Sequence, residues 1–546
     1  MNAKQDFLSE TMVSHYTLPF SWDGQSQDLC FDLENMRKCL LQFDLPVYAV
    51  RENGRTGFTN LGNSVPVNGS TYNLIGWLPP VSYSQFGDSS FCSTYGLKAA
   101  YYAGAMANAI ASEEMVITLS RSGLMGSFGS GGLSLPRLQN AIETIQSAIP
   151  GGPYLFNLLH NPFEPEIEQQ TIEMYIRYGV HAVEAAAFVR LTPSIVQYRA
   201  AGLSWDPSGN IRRENRIIAK ISRKEIAQLF LRPAPDNILQ GLVSDGRISN
   251  EQAELARQVP MADDITVEAD SGGHTDNQPL VSLLPSIIAQ RDQLNEEYQF
   301  VEPVRVGAAG GISTPKSALA AYMMGAAYIV TGSVNQSCSE SGASQHTRLL
   351  LSQADMADMT MAPSADMFEL GARVQVLKKG TLFPMRAQKL YDLYSSHEGI
   401  EAIPEKIKIE LEEKVFGRSM EEIWQETVAF FAKRNPDQIT KAEQSPKKKM
   451  ALIFRWYLGL SSKWARDGVE DRRMDYQIWC GPSMGAFNEW VRGSYLENPK
   501  NRQVVDLTWQ LLTGCVYQYR LQGLKLQGIQ LQQALDAYYP QSENGQ

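Results

Sequence analysis

The stretch VRVGAAGGISTPKSALAAYMMGAAYIVTGS, residues 304–333, reads as strand, helix, strand, with glycines where each strand ends. Val304–Ala308 is a short run, apolar apart from Arg305 near its start, of the kind a strand buried on both faces requires. Gly310-Gly311 ends that run. Thr314 then stands at a favoured N-cap position with Pro315 at the first helical position, and Gly325 closes the helix before a second run, Tyr328–Thr331. Two strands joined through a helix in this way run parallel.

The same unit repeats upstream. Strand signals at Ala100–Gly104, Leu124–Phe128, Tyr154–Leu158, Ala182–Ala186, Ile217–Ile221 and Ile265–Ala269 each precede a helical period. Ser112 with Glu113 and Glu114, Thr192 with Pro193, and Ser222 read as helix starts, and further helices are expected at Pro136–Ala148, Glu164–Tyr178 and Val281–Leu294. Eight such units predict a (β/α)8 TIM barrel over residues 99–335, with polar insertions at 203–215 and 232–262. An open, doubly wound parallel sheet is the alternative, because a strand count does not distinguish closure from openness.

Residues 1–98 read as a small N-terminal mixed α/β region. Pro46–Val50 and Gly57–Leu61 are strand-like about an Asn53-Gly54 turn, and the Gly-, Pro- and Ser-rich stretch Asn60–Ser90 reads as loop. Past residue 335 the strand signal fades. Residues 336–546 read as a mainly helical, aromatic-rich substrate or lid region, with helices expected at Glu405–Phe416, Met420–Phe431 and Val504–Tyr519.

With 43% hydrophobic and 20% charged residues the composition is globular, and a net charge of -10 argues against a general nucleic-acid binder. Six cysteines without a CxxC pair indicate neither a disulfide framework nor a metal cluster, so no metal is expected. The first sixteen residues lack the apolar run of a signal peptide. The apolar run Ala318–Val330 falls short of the roughly 20 residues needed to span a bilayer. The expectation is a cytoplasmic protein without membrane contact.

In such barrels the chemistry sits in the loops at the carboxyl ends of the strands. Here those loops carry Ala105 and Met106 after the first strand, Asn157 in the third, Gly272-Gly273-His274 after the sixth, Gly310-Gly311 after the seventh and Gly332-Ser333 after the eighth. Backbone amides after strands seven and eight commonly hold a phosphate group, and glycine lets an anion approach them. Tight turns without a ligand are the other reading. His274 can donate to a developing oxyanion or handle a proton, against the plainer role of a loop cap. Glu184 and Lys220, at the fourth and fifth strands, can face a ligand or form a structural ion pair with each other.

At these residues the chain resembles a known superfamily. AGAMANAIASEEMVITLSRSGLMGSFG (103–129), FNLLHNPFEPEIE (156–168), EADSGGHTDN (268–277) and the 308–333 run resemble nitronate monooxygenases and flavin-dependent enoyl reductases. MALIFRWYLGLSSKWA (450–465) and DYQIWCGPSMGAFNEWVRGSYLE (475–497) are similar, more narrowly, to the trans-acting enoyl reductases of polyunsaturated fatty acid and polyketide synthases. The resemblance implies an FMN-containing barrel that reduces enoyl thioesters on an acyl carrier protein with NADPH, or NADH. It places the FMN phosphate on Gly310, Gly311, Gly332 and Ser333. It places the ring system near Ala105, Met106, Asn157, Lys220, Gly272 and Gly273, and matches His274 to the family's active-site histidine. Asp270 and Ser271 depart from the shorter apolar approach common in the superfamily. Nitronate oxidation and a catalytically idle carrier-docking subunit are the competing functions. The aromatic-rich tail is a surface a homodimer could use.

Between Phe431 and Arg473, 11 Lys/Arg stand against 5 Asp/Glu, and Lys447-Lys448-Lys449 could steer an acidic carrier protein or form an ordinary solvated face. Phe454, Trp456, Tyr457 and Trp464 beside it are expected in a core or lid. Gly481-Pro482-Ser483-Met484-Gly485 matches the G-x-S-x-G hydrolase elbow, but the last histidine, His397, precedes it. Cys338 has no basic partner nearby in sequence and reads as a buried, inert thiol. The glycine-rich 126–132 loop lacks the Lys-Ser/Thr of a P-loop.

Overall fold

A computed structural model describes residues 20–67, 72–160, 162 and 164–542. The amino-terminal segment read for a targeting signal, and two positions of the 156–168 run, lie outside them. The chain forms two compact units. One comprises the described residues up to Tyr83 together with Thr513–Tyr538, the other Ser84–Leu512 with the residues after Tyr538.

In the first unit a five-stranded sheet runs in the order Arg55–Thr59, Val47–Glu52, Asn73–Leu78, Phe20–Trp22, Ser64–Pro66. Asn53 and Gly54 both take positive φ, 49° and 76°, as a two-residue hairpin requires. Asn60–Ser90 is not simply loop, because two of the five strands fall within it. Gly76 disguised the longer one: a Cβ there would lie 2.5 Å from Ile529, so the strand gives up a side chain to a close neighbour. The buried Arg520 donates to the carbonyls of Gln42, Phe43 and Leu45, beyond the end of helix Leu33–Leu41.

In the second unit, strands Tyr101–Ala103, Met125–Phe128, Leu155–Leu159, Ala182–Ala186, Arg216–Ile221, Asp264–Glu268, Arg305–Ala309 and Ile329–Thr331 form a closed parallel barrel. Pairing of Ile329–Thr331 with Tyr101–Ala103 closes it and removes the open-sheet alternative. The barrel is filled rather than hollow. Tyr102 and Tyr328 both share hydrogen bonds of 2.9 Å with Thr266, linking strands that are not neighbours in the sheet. Burial pushes both phenols well above their ordinary pKa, so these bridges are between neutral groups.

Sequence-level caps hold at Ser112, Thr192 and Thr314, whose hydroxyls accept from Met115, Ile195 and Ser317 amides. Ser222 is a correction. The helix there is Lys224–Leu231, its N-cap position is Arg223 without a side-chain cap, and Ser222 Oγ donates to Asp276 instead. The insertions are a hairpin, Leu203–Trp205 with Ile211–Arg213, and the helices Asp236–Ser244 and Asn250–Ala256.

Beyond the barrel the chain is largely helical, with a second correction. Met359–Pro363 and Arg373–Leu377 are strands, and with Gly273–His274 they form an antiparallel three-stranded sheet. Val374, Val376 and Phe368 pack on Phe383, Leu390, Phe454 and Tyr457, all essentially fully buried, from helices Phe383–Ser396 and Pro446–Asp467. Each such side chain contributes roughly 1.5–3 kcal/mol of transfer free energy. Trp456 and Trp464 pack partly buried against the same core. Among the described residues no helix is long and apolar enough to cross a membrane.

Candidate active site

The loops after strands six, seven and eight meet at the carboxyl end of the barrel, and glycine is what lets them meet. A Cβ on Gly310 would lie 2.7–2.9 Å from backbone atoms of Ala269 and Asp270. A Cβ on Gly272 would lie 2.7–2.9 Å from backbone atoms of Cys480. Gly272 is therefore committed to another stretch of chain. Gly481, the first residue of the G-x-S-x-G match, continues that stretch: its amide donates to Ser333 Oγ at 3.1 Å. The match belongs to the wall of the barrel mouth and not to a nucleophile elbow.

Gly311 and Gly332 behave differently. Gly311 has φ +73°, and a Cβ at either position would meet nothing within 4 Å. Gly332 precedes the turn Ser333–Gln336 as its uncapped N-cap residue. Two residues after Gly311, the buried Ser313 hydroxyl has no hydrogen-bond partner. Open backbone beside an unpartnered hydroxyl suits an anion such as a phosphate ester. Sequence reasoning passed over Ser313, although it stands next to the glycines and the Thr314 cap.

Below the mouth lies a row of alternating charge. Glu184, fully buried, accepts the Ala105 amide at 3.0 Å through Oε2. Its Oε1 lies 3.7 Å from Lys220 Nζ and has no hydrogen bond, and Lys220 Nζ lies 3.1 Å from Glu268. Burial opposes the Lys220 charge, but Glu268 and Glu184 outweigh it and hold the ammonium above its ordinary pKa. Of the two roles open for Glu184 and Lys220, the ion pair is present. Asn157 Nδ2 donates to the Glu184 carbonyl of the adjacent strand at 3.0 Å, and Met106 O accepts the Ala111 amide of its own loop at 3.1 Å.

His274 comes from outside the barrel sheet. Gly273 and His274 pair with Gln375 and Val374, and Gln375 Nε2 donates to Asp270 Oδ1 and the Ser271 carbonyl, both at 2.7 Å. His274 Nε2 lies 3.2 Å from Asp366 Oδ1. Burial opposes the imidazolium; Asp366 first and Glu268 second outweigh it, so the ring's pKa is raised. Asp366 and Gln375 were not legible as site residues, because both sit in a segment whose pattern reads as helical surroundings.

The remaining candidates are held by other partners or by burial. Cys338 is buried, and burial holds its thiol well above the usual range. Lys448 Nζ lies 2.8 Å from both oxygens of Glu369, Lys447 donates to the His397 carbonyl, and Lys449 lies over the Trp424 ring. Among the described residues no group of three or more His, Cys, Asp or Glu could hold a metal ion.

A closed parallel barrel with its polar groups and open glycine turns at the carboxyl ends is the TIM-barrel class of site. Within that class the chain belongs to the nitronate monooxygenase family, whose model matches residues 97–387. Residues 22–80 match the fatty acid synthase subunit PfaD N-terminal domain, and residues 397–476 the inserted helical domain of [acyl-carrier-protein] S-malonyltransferase. The chain is 47% identical to a polyunsaturated fatty acid synthase subunit of Thraustochytrium sp. over 92% of its own length and 34% of that protein's. It is 48% identical to polyketide biosynthesis protein PksE of Bacillus subtilis, over 79% of this chain and 56% of PksE. The chain thus spans about a third to just over half of these relatives. Among solved structures, the enoyl reductase domain of MlnA from the macrolactin biosynthesis cluster of Bacillus amyloliquefaciens aligns with a TM-score of 0.77 and 40% identity. That alignment covers 80% of this chain and 99% of that one. The chain is thus a nitronate monooxygenase-family barrel similar to an enoyl reductase domain and to proteins of polyunsaturated fatty acid and polyketide biosynthesis.

Proposed function

We propose that this chain is an FMN-dependent enoyl reductase. It takes electrons from NADPH, or NADH, and saturates the 2,3-double bond of enoyl thioesters presented by acyl carrier protein domains of a synthase. The observation that carries the reading is the open glycine pair, Gly311 and Gly332, beside the unpartnered Ser313 hydroxyl, one loop away from His274. Likeness over almost the whole length of an enoyl reductase domain supports it.

The backbone of Gly310, Gly311, Gly332 and Ser333, with Ser313 Oγ, fits the FMN phosphate. Ser333 Oγ accepts from Gly481, which leaves its own proton to donate. Ala105, Met106, Asn157, Glu184, Lys220, Gly272 and Gly273 border the space for the ring system. Bound there, the flavin supplies hydride transfer from the reduced nicotinamide to C3 of the enoyl group. His274 donates to the thioester oxygen as charge builds on it, or delivers the proton that C2 takes up. Leu159, at the end of the third strand, and Val189, past the fourth, are apolar and exposed and suit an acyl chain entering the mouth.

Anaerobic titration of the FMN-reconstituted protein tests this. NADPH should bleach the flavin bands, and a crotonyl thioester should restore them without oxygen. Reoxidation only by oxygen with nitronate turnover would favour the nitronate-oxidising reading. Failure to bind FMN would favour a carrier-docking subunit.

A further inference from the structure

The ring of His274 is controlled from outside the barrel. Its strand is the third member of a sheet whose other two strands, Met359–Pro363 and Arg373–Leu377, lie in the carboxyl-terminal part of the chain, and Asp366 stands in the loop between them. His274 Nε2 and Asp366 Oδ1 are 3.2 Å apart, with the two side chains 47% and 52% exposed. One sheet therefore supplies both the backbone that seats the imidazole and the carboxylate that faces it. We propose that Asp366 is a positioning residue that fixes the orientation and charge of the His274 ring, so that the nitrogen not facing it, Nδ1, addresses the substrate. This rests on the enoyl reductase reading of the site.

Among the described residues, the charged groups that act most on the ring are Asp366 from that loop, Glu268 at the end of the sixth barrel strand, and Lys220 in the fifth. Asp366 and Glu268 favour the imidazolium and Lys220 opposes it. Partial burial works against the Asp366 carboxylate in turn, and the imidazolium outweighs it, holding that carboxyl below its ordinary pKa. A raised histidine pKa keeps the proton on the ring to higher pH, and the proton is lost as pH rises through that value. Half exposure lets solvent restore the proton after each turnover.

The test is Asp366→Asn with Asp366→Glu as the conservative partner, both on the full FMN-reconstituted chain. Imidazole titration followed by NMR, with the His274 signal assigned by its loss in His274→Ala, reads the contact without any turnover. In Asp366→Asn the His274 titration should move to lower pH, and in Asp366→Glu it should return towards the parental curve. With a crotonyl thioester, kcat should fall roughly tenfold, less than the loss of the proton donor itself, while KM barely changes. The alkaline limb of the pH profile should move the same way as the titration. An unmoved His274 titration in Asp366→Asn overturns the proposal even if activity falls. A moved titration with parental turnover in His274→Ala retains the contact but overturns the enoyl reductase role of the histidine.

Discussion

The barrel strands and the 359–377 segment build one site by opposite means. The strands from Tyr101 to Thr331 place βα loops by repetition, and at the seventh and eighth of them they leave glycine backbone open. The 359–377 segment and the chain around Cys480 lie against the loop after the sixth strand and close it, until a Cβ on Gly272 has no room. The first arrangement offers space for a ligand; the second removes freedom from a side chain. A barrel alone would carry the glycine turns and leave His274 on a loose loop.

His274→Ala addresses the second arrangement most directly. If the imidazole handles the proton, kcat should fall about 100-fold or more, with FMN still bound, because a positioned general acid is worth roughly 10²–10⁴-fold. Steady-state turnover beside flavin absorbance checks both. Parental turnover would reduce the 359–377 sheet to a structural cover.

Gly272→Ala and Gly311→Ala sharpen the contrast. At Gly272 the added methyl meets the backbone of Cys480, which cannot yield as a side chain can, so urea unfolding should show a loss of about 2 kcal/mol. At Gly311 the methyl meets nothing, and the left-handed backbone alone should cost about 1 kcal/mol. FMN affinity should separate them, with Gly311→Ala weakening binding more than its stability loss implies. Equal affinity losses in the two variants would mean that the open and closed glycines do the same work.

The sequence shows the barrel because each of its elements is marked locally: apolar runs, caps at Ser112, Thr192 and Thr314, and glycine at the ends. Closure itself is invisible there, since it depends on Tyr101–Ala103 meeting Ile329–Thr331 across more than two hundred residues. Their place in the loops after strands six, seven and eight brought out His274, Gly311 and Gly332, and the resemblance added what each is expected to do. Gln375 and Asp366 stayed hidden because Gln375 lies on a short strand between helices that pairs with a two-residue strand from the barrel sequence, and Asp366 lies in the loop leading to it. Ser222 misled because its hydroxyl found a carboxylate, Asp276, instead of the helix start it precedes. The Asn60–Ser90 strands were obscured by the same glycine and proline content that marks genuine loop.

The smallest expected effect concerns the basic segment, where sequence showed an excess of charge and the structure shows where that charge goes. Lys448 lies 2.8 Å from Glu369, and Arg455 lies 3.3 Å from the same carboxylate, with side chains 18%, 24% and 29% exposed for Lys448, Arg455 and Glu369. An ion pair this accessible is worth at most about 1 kcal/mol, and Arg455 can partly replace Lys448. A double-mutant cycle of Lys448→Ala and Glu369→Ala should therefore give a coupling of about 0.5 kcal/mol in urea unfolding. That value would mean that Lys448 holds the Phe368–Leu370 turn, in the same loop as Asp366, against helix Pro446–Asp467. The basic segment would then serve the closing arrangement, by anchoring the loop that carries the carboxylate facing His274. Coupling near zero would return the lysine to the solvent-facing charge that could steer a carrier protein.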